Sequence, residues 1–172
     1  MSGDKLRQLS AALLQALAAR QFAPDFTFEL SAYSGRYKDR GNAQGKAYLD
    51  SIGIARDDDA GRRASVALNY GFFNAPHVAL LFMPPVGDNV RVASDVGMYA
   101  QTFLLSLAAR DLGGVPQTSL GFFANTIRSF LGISDELKFL FGISFGYPDP
   151  EAPCNRKQME RDPVADSVTF HE

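Results

Sequence analysis

The segment Pro116-Gln117-Thr118-Ser119 is the first stretch whose residue types could do chemistry. Proline fixes the backbone torsion φ, and the three residues after it carry amides that can donate hydrogen bonds. A short segment of this kind could lie against a flat ligand and donate backbone hydrogen bonds to it. An ordinary loop with a favourable turn residue is the simpler interpretation of these four residues taken alone.

The tail concentrates positive charge in an otherwise acidic chain. Two short runs carry it, Asn155-Arg156-Lys157 and Arg161-Asp162-Pro163. A guanidinium presents a fork of donors that suits phosphate oxygens, so phosphate binding is one interpretation. A solvated face is the simpler interpretation of the charges alone.

Patterns for catalysis or metal binding are not found elsewhere in the sequence. His77, Cys154 and His171 have no metal-ligand spacing, so we expect no metal site. The sequence contains no nucleophile elbow, phosphate loop or paired-carboxylate pattern. His77 begins an apolar run, which favours a structural histidine over a catalytic one. We therefore predict no catalytic side chain.

Length and composition bound the class of protein. The chain has 172 residues, of which 46% are hydrophobic, and this predicts a single domain over residues 1–172. The formal net charge of -2 argues against a protein that binds nucleic acid through bulk electrostatics. A single cysteine excludes an internal disulfide, and the first residues lack the basic and apolar regions of a secretory signal. We expect a cytoplasmic protein.

The long helix that precedes Pro116 is the element expected to position the segment. Ser94 or Asp95 can cap its start, and Gly113 or Gly114 can close its end. Its apolar residues point in all directions around the axis, which predicts burial on all sides, either in the domain core or across a subunit interface. Polar residues interrupt it and argue against a membrane span: Gln101, Thr102 and Ser106.

Other elements follow from periodicity and turn residues. Helices are predicted over residues 4–20, over 46–54, from the acidic run 57–59 to Pro76, and over 122–131. Residues 77–83 predict a central strand buried on both faces, residues 137–145 a second buried strand, and residues 115–120 a short extended segment. Residues 21–45 are predicted to be irregular, with a solvated loop at 36–40. The alternation in residues 166–170 predicts an edge strand.

Several longer stretches, taken in their order along the chain, resemble one family. They are YLDSIGIARDD, LNYGFFNAPHVALLF, the helix preceding Pro116, PQTSLGFF, FLGIS, KFLFGISFGYPDPEAPCNRK and ERDPVADSVTFHE. Together they resemble the FMN-dependent nitroreductase family, and within it the nitrobenzoate-reductase-like branch. The resemblance covers nearly the whole chain.

The resemblance implies an α+β fold, with a mixed, mainly antiparallel sheet flanked by helices around a central buried helix. It also implies an intertwined homodimer with FMN at the subunit interface. Enzymes of this family pass a hydride from NADH or NADPH to FMN and then to a small-molecule acceptor, either a nitroaromatic or a quinone. The cofactor carries the redox chemistry, which agrees with the lack of an acid–base constellation.

The resemblance also assigns roles to residues. Pro116, Gln117 and Thr118 match the segment that packs along the flavin ring, and a backbone amide near Gln117 or Thr118 would donate to the flavin N5. Ser119 completes this cofactor-binding segment. Arg161 matches the tail arginine that holds the FMN phosphate. Met159 stands where many relatives carry a second basic residue, and Arg156 or Lys157 could replace it.

The front of the chain departs from the family pattern. Family members begin with an arginine-rich, phosphate-binding segment and an Asn-x-Gln-Pro stretch, and residues 4–20 resemble the helix that follows them. We therefore expect a chain that lacks the first portion of the fold, with weakened FMN binding. Two alternatives stay open: a non-catalytic remnant that acts as a dimerising or partner-dependent protein, and a binder of another flat heteroaromatic or nucleotide.

Overall fold

The computed structural model describes residues 1–156 and 160–171. Six helices and three strands lie in these ranges, and their order is α1, α2, α3, β1, α4, β2, α5, β3, α6. The helices are α1 (Gly3–Ala18), α2 (Gly35–Ser51), α3 (Asp59–Tyr70), α4 (Val90–Ala108), α5 (Ala124–Leu131) and α6 (Pro153–Arg156). The strands are β1 (His77–Met83), β2 (Gly113–Gln117) and β3 (Lys138–Gly146).

The sheet has the strand order β1-β3-β2, and both pairings are antiparallel. The predicted strands at 77–83 and 137–145 are confirmed, but the first is not central as predicted. Strand β3 is central, whereas β1 lies at an edge and is only half-buried along most of its length. An apolar run does not distinguish these two places, because helices on one face can cover an edge strand as well as a central one.

Glycines allow the central strand to contact its neighbours closely. An added Cβ at Gly142 would lie 2.6 Å from Leu120 Cδ1, and one at Gly146 would lie 2.6 Å from Pro76 Cδ. Both distances are shorter than any ordinary carbon–carbon contact. Close packing of Leu120 and Pro76 on the central strand therefore depends on the absence of a side chain at these two positions.

The core lies between α1, α5 and the sheet. Leu6, Leu9, Leu13 and Ala16 form the buried face of α1, as the three- and four-residue spacing predicts. They pack against residues from six other parts of the fold: Tyr70, Phe72, Val78, Leu120, Phe123, Ala124, Ile127 and Phe139. Helix α5 ends at Gly132, whose φ of 66° is the left-handed conformation that glycine adopts readily.

Helix α4 is the predicted long helix, with different ends. It begins at Val90, whose amide donates to Asp88 Oδ1 at 3.1 Å, so Ser94 and Asp95 lie inside the helix. It ends at Ala108, and Asp111 takes the left-handed conformation at φ 57°. Gly113 and Gly114 do not cap the helix, because both belong to strand β2.

A single chain does not bury α4 on all sides. Only Ala100 and Leu107 are buried, whereas Met98, Tyr99 and Leu105 are 62–63% exposed. The helix contacts β1 and β2 along one side, and its other side is exposed within the described part of the chain. Of the two explanations for an apolar helix, burial in the domain core is therefore excluded for most of its surface.

Two polar regions also differ from the prediction. Residues 36–40 are not a loop but part of α2, a 17-residue helix without a buried residue among those described. Lys46 and Asp50 form an ion pair at 2.6 Å along it, which stabilises a helix that has no apolar stripe to reveal it. The edge strand predicted at 166–170 is wrong: Val164–Asp166 is a short 3-10 helix, and Phe170 after it is exposed.

Candidate functional site

Strand β2 places the Pro116 segment at an open edge of the sheet. It follows α4 directly and pairs only with β3, so its other side is not covered by another strand of the described chain. Gly114 allows this arrangement, since an added Cβ there would lie 2.7 Å from Leu104 Cδ2 and 3.0 Å from Leu107 Cδ1. The close packing of β2 on α4 thus sets where Pro116 lies.

Exposure alternates along the predicted segment. Pro116 and Thr118 are exposed, whereas Gln117 between them is 2% exposed. The Gln117 side chain is fully engaged, because Nε2 donates to the Asn69 carbonyl oxygen at 2.7 Å and Oε1 accepts from Ser144 Oγ. Gln117 therefore fixes the segment to the core and offers no side-chain group to a ligand.

Ser119 connects the same segment to α3. Its Oγ donates to Asn69 Oδ1 at 2.9 Å, and its carbonyl oxygen accepts from the Tyr70 hydroxyl at 3.4 Å. Burial raises the pKa of that hydroxyl, so it stays protonated and remains a donor at neutral pH. Asn69 thus forms hydrogen bonds with both Gln117 and Ser119. No sequence motif had indicated a role for Asn69.

Thr118 lines an open groove with a cavity volume of about 620 Å³. The opposite wall comes from the irregular stretch before α2, which contributes Phe26, Phe28 and Tyr33. Phe28 is held by Phe122, with ring centroids 4.4 Å apart. The sequence had predicted only an irregular stretch here, since nothing local relates these aromatics to Thr118.

Arg161 lies in the exposed tail, where one guanidinium nitrogen donates to the Glu160 carbonyl oxygen at 3.3 Å. Its neighbour Asp162 forms an ion pair with Arg40 of α2. Arg156 forms an ion pair with Glu151. Lys157 and Met159 lie outside the described residues. The phosphate-binding role of Arg161 stays a prediction.

A buried ion pair supports the wall of the groove. Asp25 and Arg128 are paired with side chains only 6% and 9% exposed, respectively. The same Asp25 oxygen, Oδ2, accepts from the Phe139 amide at 2.8 Å. This carboxylate therefore joins the stretch before α2 to both α5 and β3, over more than a hundred residues of sequence.

The remaining candidates contribute no further chemistry. His77 is exposed and its ring stacks on Phe145, with centroids 5.2 Å apart. Within residues 1–156 and 160–171, no cluster of three or more histidine, cysteine, aspartate or glutamate residues could hold a metal ion. None of the helices in the described part of the chain combines the length and apolarity that crossing a membrane requires.

Comparisons with known proteins place the chain in a family. A model described as "Nitroreductase family" matches residues 2–147. Nitroreductase NfnB of Mycolicibacterium smegmatis is 34% identical over 170 residues, which are 99% of this chain and 72% of the relative. A 4-nitrobenzoate reductase of Pseudomonas putida is 34% identical over 129 residues, covering 74% of this chain and 56% of the relative.

The fold is that of a solved relative. The crystal structure of the FMN-dependent nitroreductase NfnB from Mycobacterium smegmatis in complex with NADPH matches with a TM-score of 0.95. The match covers 100% of this chain and 77% of the chain in that structure. The predicted α+β fold class is confirmed, with the sheet of the described residues antiparallel throughout.

Proposed function

This chain belongs to the nitroreductase family, and we propose that it is an FMN-dependent oxidoreductase that passes a hydride from NADH or NADPH to nitroaromatic or quinone-type acceptors. When bound, FMN supplies the redox chemistry, taking up a hydride and giving it to the second substrate. The residues of the chain have the tasks of binding and orienting the flavin.

The observation that carries the proposal is the arrangement of Pro116 to Ser119. The side chains of Gln117 and Ser119 are tied inward, while Pro116 and Thr118 are exposed at an uncovered strand edge. A flat ring fits such an edge, because no side chain of the segment needs to move for the ring to approach the backbone. These residues fit the ring portion of FMN.

Backbone geometry favours Thr118 over Gln117 as the donor to the flavin N5. A proline inside a sheet occupies an edge position at which its missing N–H would point away from the neighbouring strand. Backbone groups alternate in direction along a strand, so the Gln117 amide faces β3 and the Thr118 amide faces the open side. Thr118 also begins a 3-10 helix, whose first amides have no partner within the helix.

Arg161 is proposed to bind the FMN phosphate, through the donor fork that suits phosphate oxygens.

We also propose that the functional unit is a homodimer, in which the exposed side of α4 is covered by a second copy. The apolar side chains Met98, Tyr99 and Leu105 support this, because exposed patches of this kind mark interaction surfaces.

The test of function is the addition of FMN and NADPH to the purified chain. We expect quenching of FMN fluorescence, a shifted visible flavin spectrum, and NADPH oxidation that depends on a nitroaromatic acceptor. FMN that stays fully fluorescent at concentrations well above those of the protein would instead support the non-catalytic alternative.

A backbone substitution tests the assigned donor. Thr118→Pro removes the amide, and Gln117 at φ -129° and ψ 89° already lies outside the α region that proline disfavours for the preceding residue. Loss of one hydrogen bond to the reacting flavin is expected to lower kcat by roughly tenfold. Thr118→Ala keeps the amide and is the matched control, expected to retain wild-type kcat. Equal rates in the two variants would exclude this amide as the donor.

A further inference from the structure

The groove beside Thr118 is a preformed site next to the proposed flavin segment. Its walls are aromatic, formed by Phe26, Phe28 and Tyr33 on one side and Phe141 of β3 on the other. A volume of about 620 Å³ lies within the range of small-molecule sites. The groove is therefore large enough for a substituted benzene ring.

The aromatic wall is held in place by the rest of the fold. Phe28 packs on Phe122, and an added Cβ at Gly121 would lie 3.0 Å from Phe28 Cε2, so the ring and the backbone are in close contact. Asp25, three residues earlier, is fixed by Arg128 and the Phe139 amide. A ligand would thus find the Phe28 side of the wall already formed, which reduces the cost of ordering it.

The described lining of the groove carries negative charge and no positive charge. Glu29 is the one lining residue, among those described, that carries a formal charge at neutral pH, and it lies on the aromatic wall. It is exposed, so its field is partly screened by solvent. An anion in the groove would meet this carboxylate without a compensating cation from the described lining. Because the FMN phosphate is also an anion, we expect it to lie outside the groove.

We propose that this groove receives the electron acceptor, and that Glu29 makes the site favour neutral aromatic acceptors over those that carry a carboxylate. The proposal rests on the proposed function, since Thr118 is what joins the groove to the flavin segment. Apolar stacking on the aromatic walls supplies affinity for both kinds of acceptor. Glu29 then lowers the affinity for the anionic kind alone.

Binding without turnover is the first test. Benzamide and benzoate have the same ring and differ in charge, and their dissociation constants can be measured by ligand-observed NMR on the chain without FMN. We expect benzamide to bind roughly threefold more tightly at low salt, as for two like charges near a protein surface. Glu29→Gln is expected to remove this difference, and Glu29→Lys to reverse it.

The second test uses turnover with FMN and NADPH. In Glu29→Gln, the ratio of kcat/KM for 4-nitrobenzoate to kcat/KM for nitrobenzene is expected to rise roughly threefold. Added salt should reduce the preference in the wild type and not in this variant. Glu136→Gln is the matched control, because Glu136 does not line the groove, and its preference should equal that of the wild type.

The possible results separate this proposal from the proposed function. If both acceptors turn over and Glu29→Gln leaves their ratio unchanged at low salt, the assignment of Glu29 is wrong and the oxidoreductase function stands. If neither acceptor turns over but benzamide binds more tightly than benzoate only when Glu29 is present, the groove assignment stands and the oxidoreductase function fails.

Discussion

Gln117 has a buried side-chain amide whose nitrogen and oxygen each make one hydrogen bond. The nitrogen donates to the Asn69 carbonyl oxygen and the oxygen accepts from the Ser144 hydroxyl, so the side chain joins β2 to α3 and to β3. A buried polar group that loses its partner bears the full cost of desolvation, which is larger than the net gain of making the bond. Position 117 should therefore be far more sensitive to substitution than position 118.

Gln117→Leu preserves volume and removes both hydrogen bonds. The Ser144 hydroxyl would stay buried without this partner and the half-buried Asn69 carbonyl oxygen would lose its donor, which costs about 1–3 kcal/mol of unfolding free energy. Urea denaturation followed by far-UV circular dichroism measures this loss. Thr118→Ala, at the exposed neighbouring residue, should change the same quantity by less than about 0.5 kcal/mol. A loss below about 1 kcal/mol in Gln117→Leu would mean that the two hydrogen bonds do not act as described.

At the level of single residues, the sequence predicted the segment and not the direction of its side chains. Pro116 to Ser119 could be singled out because proline and the preceding glycines mark a turn. Which of the four side chains faces inward depends on the pairing of β2 with β3, which lies some 25 residues away in sequence and has no local signature. The ion pair between Asp25 and Arg128 escaped prediction for the same reason.

Among the elements, central strand β3 is closely packed at Gly142. At Gly142, an added Cβ would meet Leu120 Cδ1 at 2.6 Å and Leu80 Cδ2 at 3.2 Å. Leu120 is fully buried, so it cannot turn toward solvent to make space. The helix–sheet distance at this point is set by the missing side chain.

Gly142→Ala is expected to destabilise the fold by about 1–3 kcal/mol, the usual cost of overpacking a core. Gly41→Ala provides the matched control. Gly41 lies inside α2 with nothing within 4 Å of an added Cβ, so alanine there should stabilise by about 0.5–1 kcal/mol through helix propensity. Thermal unfolding of the two variants beside the wild type measures both effects. Equal melting temperatures for Gly142→Ala and the wild type would show that Leu120 and Leu80 move apart easily.

Apolar elements were predictable and polar ones were not. The buried face of α1, the two long strands and α5 each carry a hydrophobic period that identifies them. Helix α2 has no such period, and it is stabilised by ion pairs and by contact with α6. The tail has the alternation of a strand but no partner strand in the described chain. Hydrophobic periodicity therefore predicts a helix or a strand only where the burial of apolar side chains stabilises it.

For the whole molecule, the exposed side of α4 is the feature that a single chain does not explain. Val90, Met98, Tyr99 and Leu105 are each more than 60% exposed on one helix. Their apolar character was evident in the sequence, which left open whether the domain core or a second subunit covers them. The described chain provides no cover, so a second copy is the proposal that remains consistent with the composition of the helix.

The oligomeric state tests that proposal at the scale of the assembly. Sedimentation velocity of the 18.7 kDa chain should give twice this mass at micromolar concentration. Leu105→Glu would place an unpaired carboxylate in the proposed interface, and several kcal/mol of desolvation should weaken dimerisation by roughly a hundredfold or more. Leu68→Glu, on the exposed side of α3, carries the same change in charge and size and should leave the dimer intact. A wild-type chain that is monomeric throughout the accessible concentration range would rule out the homodimer, and equal dissociation constants for the two variants would exclude α4 as its interface.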